Sequence, residues 1–414
     1  MNKKKIFNDP IYGFINIQSE IIFDIIEDPV FQRLRRIKQL GLTDFIYPGA
    51  LHTRFHHAIG AMHLMTKAIT TLRSKNIEIS DEEALALQLT ILLHDIGHGP
   101  FSHALEFSLL HGVNHESLSF LFMKRLNKKY NGVLDLALKI FQDTYERKFF
   151  HQLVSSQLDM DRLDYLKRDS FFTGVSEGVI GLERIISMLN VAEDSIVIEE
   201  KGLYSIENFL NARRLMYWQV YLHKTSVSAE KMLINTILRA KDLSLSGKNI
   251  VSTPSLSEFI NKEITLESFQ IQPELLQSFA KLDDYDIWSG IKHWQHSDDL
   301  ILSQLSVSLL SRKLFKIRLS NNPLEKKEVE KIRESISKKY GILKADSRYL
   351  FSYGEVTNKA YIGEGQSINI LKKDGTVVDI AEAADLPNIK AISKIVRKHY
   401  LCYPIKVYLR ESED

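Results

Sequence analysis

The chain has 414 residues, 44% of them hydrophobic and 26% charged, enough to bury a large core in two or three structural units. Its formal net charge of +2 argues against a bulk nucleic-acid binder, so any phosphate affinity must be local. The single cysteine, Cys402, excludes an internal disulfide and fits a reducing compartment. Between Leu401 and Tyr403 it reads as a packed small hydrophobe. No signal-peptide stretch follows the N-terminal lysines, and no segment approaches the ~18 apolar residues of a membrane span. The expectation is a soluble cytoplasmic protein.

Helical periodicity dominates the first three hundred residues. Asp28-Pro29 reads as an N-cap with proline at the first helical position, followed by an amphipathic run through Gln39-Leu40 that Gly41 stops. Helices are expected at about 54–73, 81–94, 115–128 and 150–170, then at 205–222 and 226–242. The stretch Ser195 to Glu199, with Lys201-Gly202 behind it, reads as a strand and turn of a small hairpin. After about 311 the texture changes. Strands are expected at 313–319, 348–353, 368–371 and 405–409, with a charged helix at 324–339 and a turn at Lys373-Asp374-Gly375-Thr376. The fold class is mainly α, with a small hairpin and a smaller α+β C-terminal region.

The chemistry begins with histidine density. Nine of the fourteen histidines fall between His52 and His115, a concentration more typical of metal or acid/base chemistry than of packing. His57, the pair His94-Asp95 and the later Asp161 form an ordered series of ligand types. His94 and Asp95 close the apolar run Leu85 to Leu93, and a charge buried there must be paired or metal-bound. The turn Ile96-Gly97-His98-Gly99-Pro100 bends the chain back, bringing His98 and His103 over the same point. Two imidazoles and two carboxylates suit a divalent ion with open positions: Mn²⁺, Fe²⁺, Co²⁺, Ni²⁺, Mg²⁺ or Zn²⁺. The set lacks the thiolates usual in a closed structural zinc site, which argues against one. After Asp161, the residues Tyr165, Arg168 and Asp169 fall on roughly the same helix side, and Asp164 with Arg168 reads as a helix ion pair. His52, His56, His63 and His111 read as ordinary core or surface histidines. Arg33, Arg35, Arg36 and Lys38 read as one solvated basic helix face, unless a family pattern gives them a regulatory role.

These motifs carry a resemblance. Asn8 to Gly13, Phe31 to Gly41, Pro48-Gly49-Ala50, Thr53 to His57, His94 to His103, His115-Glu116, Asp161 to Tyr165 with Arg168-Asp169, and Tyr221 to Lys224 resemble the HD-domain phosphohydrolases. Within that superfamily they are similar to the deoxynucleoside triphosphate triphosphohydrolases. The resemblance spans at least the first 225 residues. It implies an HD-type helical catalytic domain over 1–310, with a metal core at about 50–170 and a helical extension at about 180–310, followed by an α+β domain over 311–414.

By the same resemblance, His57, His94, Asp95 and Asp161 hold the metal, with manganese the leading choice. His98 and His103 contact the α-phosphate, His103 or His115 is the catalytic histidine, and Glu106 and Glu116 orient them. Arg54 and Arg162 clamp phosphates, and Arg213 adds a further contact. Gln39, Leu40 and Asp169 line the deoxyribose, Tyr165 and Tyr221 reject a 2′-hydroxyl, and Tyr217 lies near the base. The family has aspartate at position 106, often lysine at 162 and histidine at 217. The implied reaction cleaves a dNTP, with dGTP a candidate preference, to deoxynucleoside and inorganic triphosphate. A histidine protonates the departing 5′-oxygen. The resemblance also implies a homodimer or homotetramer switched by dGTP or GTP at a site including Lys5, Glu27, Gln32, Arg35 and Phe55, where Glu27 replaces an aspartate. Neither membrane nor nucleic acid is an expected partner. The alternative is an HD phosphohydrolase acting on a nucleoside monophosphate, a cyclic nucleotide or another phosphoester.

Overall fold

The computed structural model describes residues 5–101, 104–357, 367–384 and 396–405. Helices dominate. The two longest helices before residue 100 are α1 (Arg54–Ser74) and α2 (Asp81–Leu93); α2 starts from a reciprocal Ser80/Glu83 capping box. Next come α3 (His115–Lys129), capped by Asn114, and α4 (Met160–Thr173), capped by Asp159 and ended by Gly174 at φ 74°. Helices α5 (Leu203–Met216) and α6 (Lys224–Leu245) carry the extension, and α7 (Lys326–Tyr340) lies in the C-terminal part. No helix among the described residues is long and apolar enough to cross a membrane.

Among the described residues, three small sheets decorate the helices. Strands β1 (Lys5–Asp9) and β2 (Gly13–Ile17) form an antiparallel hairpin. In the second sheet, β3 (Leu189–Ala192) and β4 (Ser195–Glu199) pair antiparallel. In the third, β5 (Lys316–Ser320), β6 (Ser352–Thr357) and β9 (Arg397–Tyr403) take the order β5-β9-β6. The strands after residue 310 do not gather into one sheet. β7 (Asn369–Leu371) instead pairs parallel with β4, and β8 (Val377–Asp379) completes the order β3-β4-β7-β8.

Several local expectations are corrected. The N-terminal hairpin has strands too short to announce themselves; its turn is set by Asp9 Oδ1, which accepts the amides of Ile11 and Tyr12 at 2.9 and 3.0 Å. The run after Pro29 is one helical turn and a 3₁₀ turn (Arg33–Arg36), not a long helix. Arg33 breaks the amphipathic pattern because it is fully buried, donating to the carbonyls of Leu282 and Ile96 between the Phe122 and Phe279 rings. Only Arg35 and Arg36 of that basic run are exposed. The expected 150–170 helix is two, Lys148–Val154 and α4, because the Asp159 carboxylate takes the amides of Ser156 and Arg162 and starts a new helix. The hairpin partner of Ser195–Glu199 precedes it, with Glu193 and Asp194 at positive φ in the turn; 200–202 is a 3₁₀ turn. A 3₁₀ turn occupies Lys344–Tyr349, delaying the strand to Ser352. Ile405 follows β9 in a turn, and the rest of the expected 405–409 strand lies outside the described residues. Cys402 is buried in β9, its thiol pushed up to about 11 by burial.

Helix α1 packs onto a buried ion pair within α4. Arg168 donates from Nε and one amino group to the two oxygens of Asp164 at 2.9 and 3.0 Å, and from the other to Asp9 on β1 at 2.8 Å. Gly60 on α1 makes room: a Cβ there would lie 2.1 Å from the Arg168 guanidinium and 2.2 Å from Asp164 Oδ1. Helix propensity alone favours Gly60→Ala by about 1 kcal/mol. The packing predicts the opposite, a destabilisation of about 3 kcal/mol as the buried pair is forced apart, measured by denaturant unfolding; an alanine variant as stable as the parent contradicts this packing.

Candidate active site

The site forms where α1, the end of α2, the turn after it, the start of α3 and the first turn of α4 converge. His57 comes from the second turn of α1, while His94 and Asp95 follow the last residue of α2. His57 Nε2 is 3.0 Å from Asp161 Oδ1 and 3.8 Å from Asp95 Oδ2. His94 Nε2 lies 3.4 Å from both Asp95 Oδ1 and Asp161 Oδ1. Ligands bound to one divalent ion at about 2.0–2.2 Å stand roughly 3–3.5 Å apart, so these separations match a shared ion.

The tautomers fit as well. His57 Nδ1 bonds Asp164 Oδ2 at 2.8 Å, and His94 Nδ1 bonds the Ile91 carbonyl at 2.6 Å. Each ring therefore turns Nε2 toward the carboxylates, and both Nε2 atoms are buried without a hydrogen-bond partner. Such Nδ1 anchoring is how metal-ligating histidines are held. Burial alone would lower the His57 pKa, but the adjacent Asp161 and Asp164 carboxylates push it up to about 10. For Asp161, the His57 and His94 contacts overcome burial and hold the carboxyl far below its usual range. The cluster demands a positive charge, as a proton or as a metal ion.

A second group adjoins it: Asp95 again, His98 and His115. The His98 and His115 rings stack, centroids 3.9 Å apart and 15° from parallel. Burial and the nearby Arg54 keep the His98 pKa well below its usual value, so that ring is neutral at pH 7. His115 Nδ1 is 3.0 Å from Glu106 Oε1, which also accepts the His115 amide at 2.7 Å. The stack is possible because Gly97 packs directly on α3: a Cβ there would fall 2.2 Å from Ser119 N. Ser119 Oγ in turn accepts the Gly97 amide and donates to the His94 carbonyl.

Both groups face a cavity of about 390 Å³. Arg54, Asp95, His98, His115, Glu116, Asp161 and Arg162 line it together with Gln39, Leu40, Tyr165, Asp169, Tyr217 and Tyr221. Arg54 donates to Asp95 Oδ2, and Arg162 to Asp159. Asp169 is held from two sides, by His52 Nε2 at 2.7 Å and by the Tyr221 hydroxyl at 2.8 Å. Gln39 and Leu40 arrive because the 37–40 segment runs beside 52–54: the Gln39 amide donates to the His52 carbonyl and the Arg54 amide to the Ile37 carbonyl. Helix α5 ends at Met216, and a π-helical turn over Tyr217–Tyr221 replaces the expected continuous helix, putting Tyr217 and Tyr221 on the same wall.

Not every expected residue lands there. Arg168 turns away to Asp164 and Asp9, so the cavity row of α4 is Asp161, Tyr165 and Asp169. Arg213 is buried off the lining and donates to Gln157 Oε1 at 2.8 Å. His103 lies outside the described residues. The residues expected at a regulatory site make separate contacts. Arg35 stacks on Phe55 at 3.5 Å and donates to Gln32 Oε1, Lys5 stands 3.8 Å over Phe23, and Glu27 is exposed. Two contributors escape the sequence reading: His52, set aside as ordinary, which stacks on Phe172 while bonding Asp169, and Asp164, which serves His57 as well as Arg168. The i, i+3 spacing of Asp161 and Asp164 was the available signal for the second.

Comparison with known proteins agrees with this geometry. Residues 180–253 match the HD-associated region family. A phosphohydrolase from Bacteroides thetaiotaomicron, known from a crystal structure, is 52% identical with a TM-score of 0.93, over 97% of this chain and 100% of that one. The uncharacterized protein YwfO of Bacillus subtilis is 32% identical over 98% of this chain and 93% of its own length. The deoxynucleoside triphosphate triphosphohydrolase SAMHD1 homolog of Dictyostelium discoideum is 33% identical over 62% of this chain, which spans 53% of that protein. The chain belongs to the HD-domain phosphohydrolases and is a hydrolase of that type.

Because a metal ion must displace the proton that Asp161 and Asp164 hold on His57, apparent Mn²⁺ affinity should rise about tenfold per pH unit between pH 7 and 9. Calorimetric titration at several pH values checks this, and a pH-independent affinity rules out the cluster as the binding site.

Proposed function

We propose that the protein is a dNTP triphosphohydrolase. The observation that carries this reading is one cavity that joins the metal-type cluster and two arginines to the Asp169–Tyr221–Tyr165 wall. A triphosphate and a deoxyribose are what such a two-part lining suits. His57, His94, Asp95 and Asp161 would hold a divalent ion, which supplies Lewis-acid polarisation of the phosphate. Arg54 and Arg162 neutralise the polyphosphate with bidentate-capable guanidinium groups. Neutral His98 donates to the α-phosphate without repelling a charged neighbour. His115, its Nδ1 anchored on Glu106, delivers a proton from Nε2 to the departing 5′-oxygen, a role that His103 shares in the family pattern.

At the sugar, Asp169 accepts the 3′-hydroxyl and Tyr165 with Tyr221 closes the space a 2′-hydroxyl needs. Gln39 and Leu40 complete that wall, and Tyr217 reaches toward the base. Manganese as the ion, a dGTP preference, and a homodimer or homotetramer activated by dGTP or GTP at Lys5, Glu27, Gln32, Arg35 and Phe55 extend the same reading.

Incubation with each dNTP and Mn²⁺, with and without dGTP, should release inorganic triphosphate, and Asp95→Ala should abolish both metal content and hydrolysis. Release of only pyrophosphate or orthophosphate overturns the proposal. His52→Ala should raise KM for the deoxynucleotide about tenfold, the worth of one charge-assisted hydrogen bond, with a smaller change in kcat; an unchanged KM removes His52 from the positioning of Asp169.

A further inference from the structure

A larger cavity, about 540 Å³, lies at the seam where the helix Lys148–Val154 meets β4 and β7. Its size falls in the range of small-molecule sites, roughly 300–1,000 Å³. Lys148, His151 and Gln152 of that helix, with Ser155 just past its end, line one side of it, Lys148 and Ser155 being open to solvent as well. His151 is anchored through Nδ1 on the Ile140 carbonyl at 2.8 Å, which leaves Nε2 for another partner. Gln152 Oε1 accepts the Ile196 amide at 2.7 Å, fixing the side chain so that its NH₂ is presented outward. Lys148 Nζ reaches Asp143 only loosely, 3.3 Å to the carbonyl and 3.6 Å to Oδ1. Asn369 adds an amide from β7.

One buried carboxylate, on the lining of neither cavity, bonds a residue of each. Buried Asp159 accepts the Ser156 amide at 2.7 Å on the side of this second cavity. On the active-site side it accepts the Arg162 amide at 2.6 Å and the Arg162 guanidinium. Any ligand that shifts Ser155 and Ser156 therefore shifts the residue that starts α4 and sets Asp161 and Arg162.

We propose that this cavity is a second ligand site, for a metabolite bearing a pentose phosphate group, coupled to the active site through Asp159. Lys148 and His151 Nε2 take the phosphate, a geometry of cation plus imidazole suited to a monoester dianion. The hydroxyl and amide groups of Ser155, Gln152 and Asn369 take the sugar. The group could come from a free sugar phosphate or from a nucleotide. Coupling of this kind requires the ligand to favour one arrangement of the 155–159 segment over another.

Hydrogen exchange on the full chain tests this, with ribose 5-phosphate, dAMP and inorganic phosphate as separate probes in the presence of a chelator. Ribose 5-phosphate should slow exchange across 148–158 and 195–199 and, through Asp159, across 159–163. Protection by dAMP but not ribose 5-phosphate assigns the site to nucleotides and keeps the proposal. Lys148→Glu should abolish the protection and Lys148→Arg should retain it. Equal protection by inorganic phosphate alone, protection that survives Lys148→Glu, or no protection at 148–158 with any probe overturns it.

Discussion

Everything at the site depends on one buried carboxylate. Asp164 binds the His57 ring on one oxygen and the Arg168 guanidinium on both, and Arg168 carries the link on to Asp9 in the N-terminal hairpin. With only Asp164 and Asp9 as anions, the unit would leave excess negative charge in a dry interior; Arg168 offsets it, and the histidine takes up the rest. Removing any one member strands a buried charge, which costs several kcal/mol. The arrangement fixes the His57 ring before any cation arrives, so binding need not order it.

The same helix works on two faces. Asp164 and Arg168 anchor α4 to α1, while Asp161, Tyr165 and Asp169, each one turn apart, line the cavity. A small rotation of α4 would then misplace a metal-type ligand, an aromatic wall and the Asp169 carboxylate at once. Two devices resist it: the Asp159 cap at its start and the His52 and Tyr221 bonds to Asp169 near its end.

Much of this was legible because the chemistry is carried by residues of unmistakable type at helix ends. The apolar run closing on His94-Asp95 and the glycine-rich turn behind it could be read directly, and the structure does bring His57, His94, Asp95 and Asp161 together. What escaped depends on partners far away in the chain. Arg33 looks solvent-bound until Leu282 and Ile96 offer their carbonyls. His52 looks idle until α4 brings Asp169 against it. The π turn at 217–221 is held by tertiary partners, among them Asp169 on the Tyr221 hydroxyl and the Tyr47 hydroxyl on the Gln219 carbonyl, which the local sequence does not announce. Where a side chain answers to its sequence neighbours, as at Asp28 or Ser80, reading succeeds; where it answers to tertiary partners, it does not.

The parallel pairing of β4 with β7 bears on how the chain acquires this structure. Val197, already paired with Asn190 on β3, finds its second strand partner, Asn369, only when nearly the whole polypeptide is available. Until then β4 presents an unpaired edge beside the segment that leads into α4. An emerging chain would therefore hold its helical half with one sheet margin open to wrong partners, and closure of that margin is a long-range, slow step. Completion of the fold and completion of the wall behind the active-site helix would then be a single event.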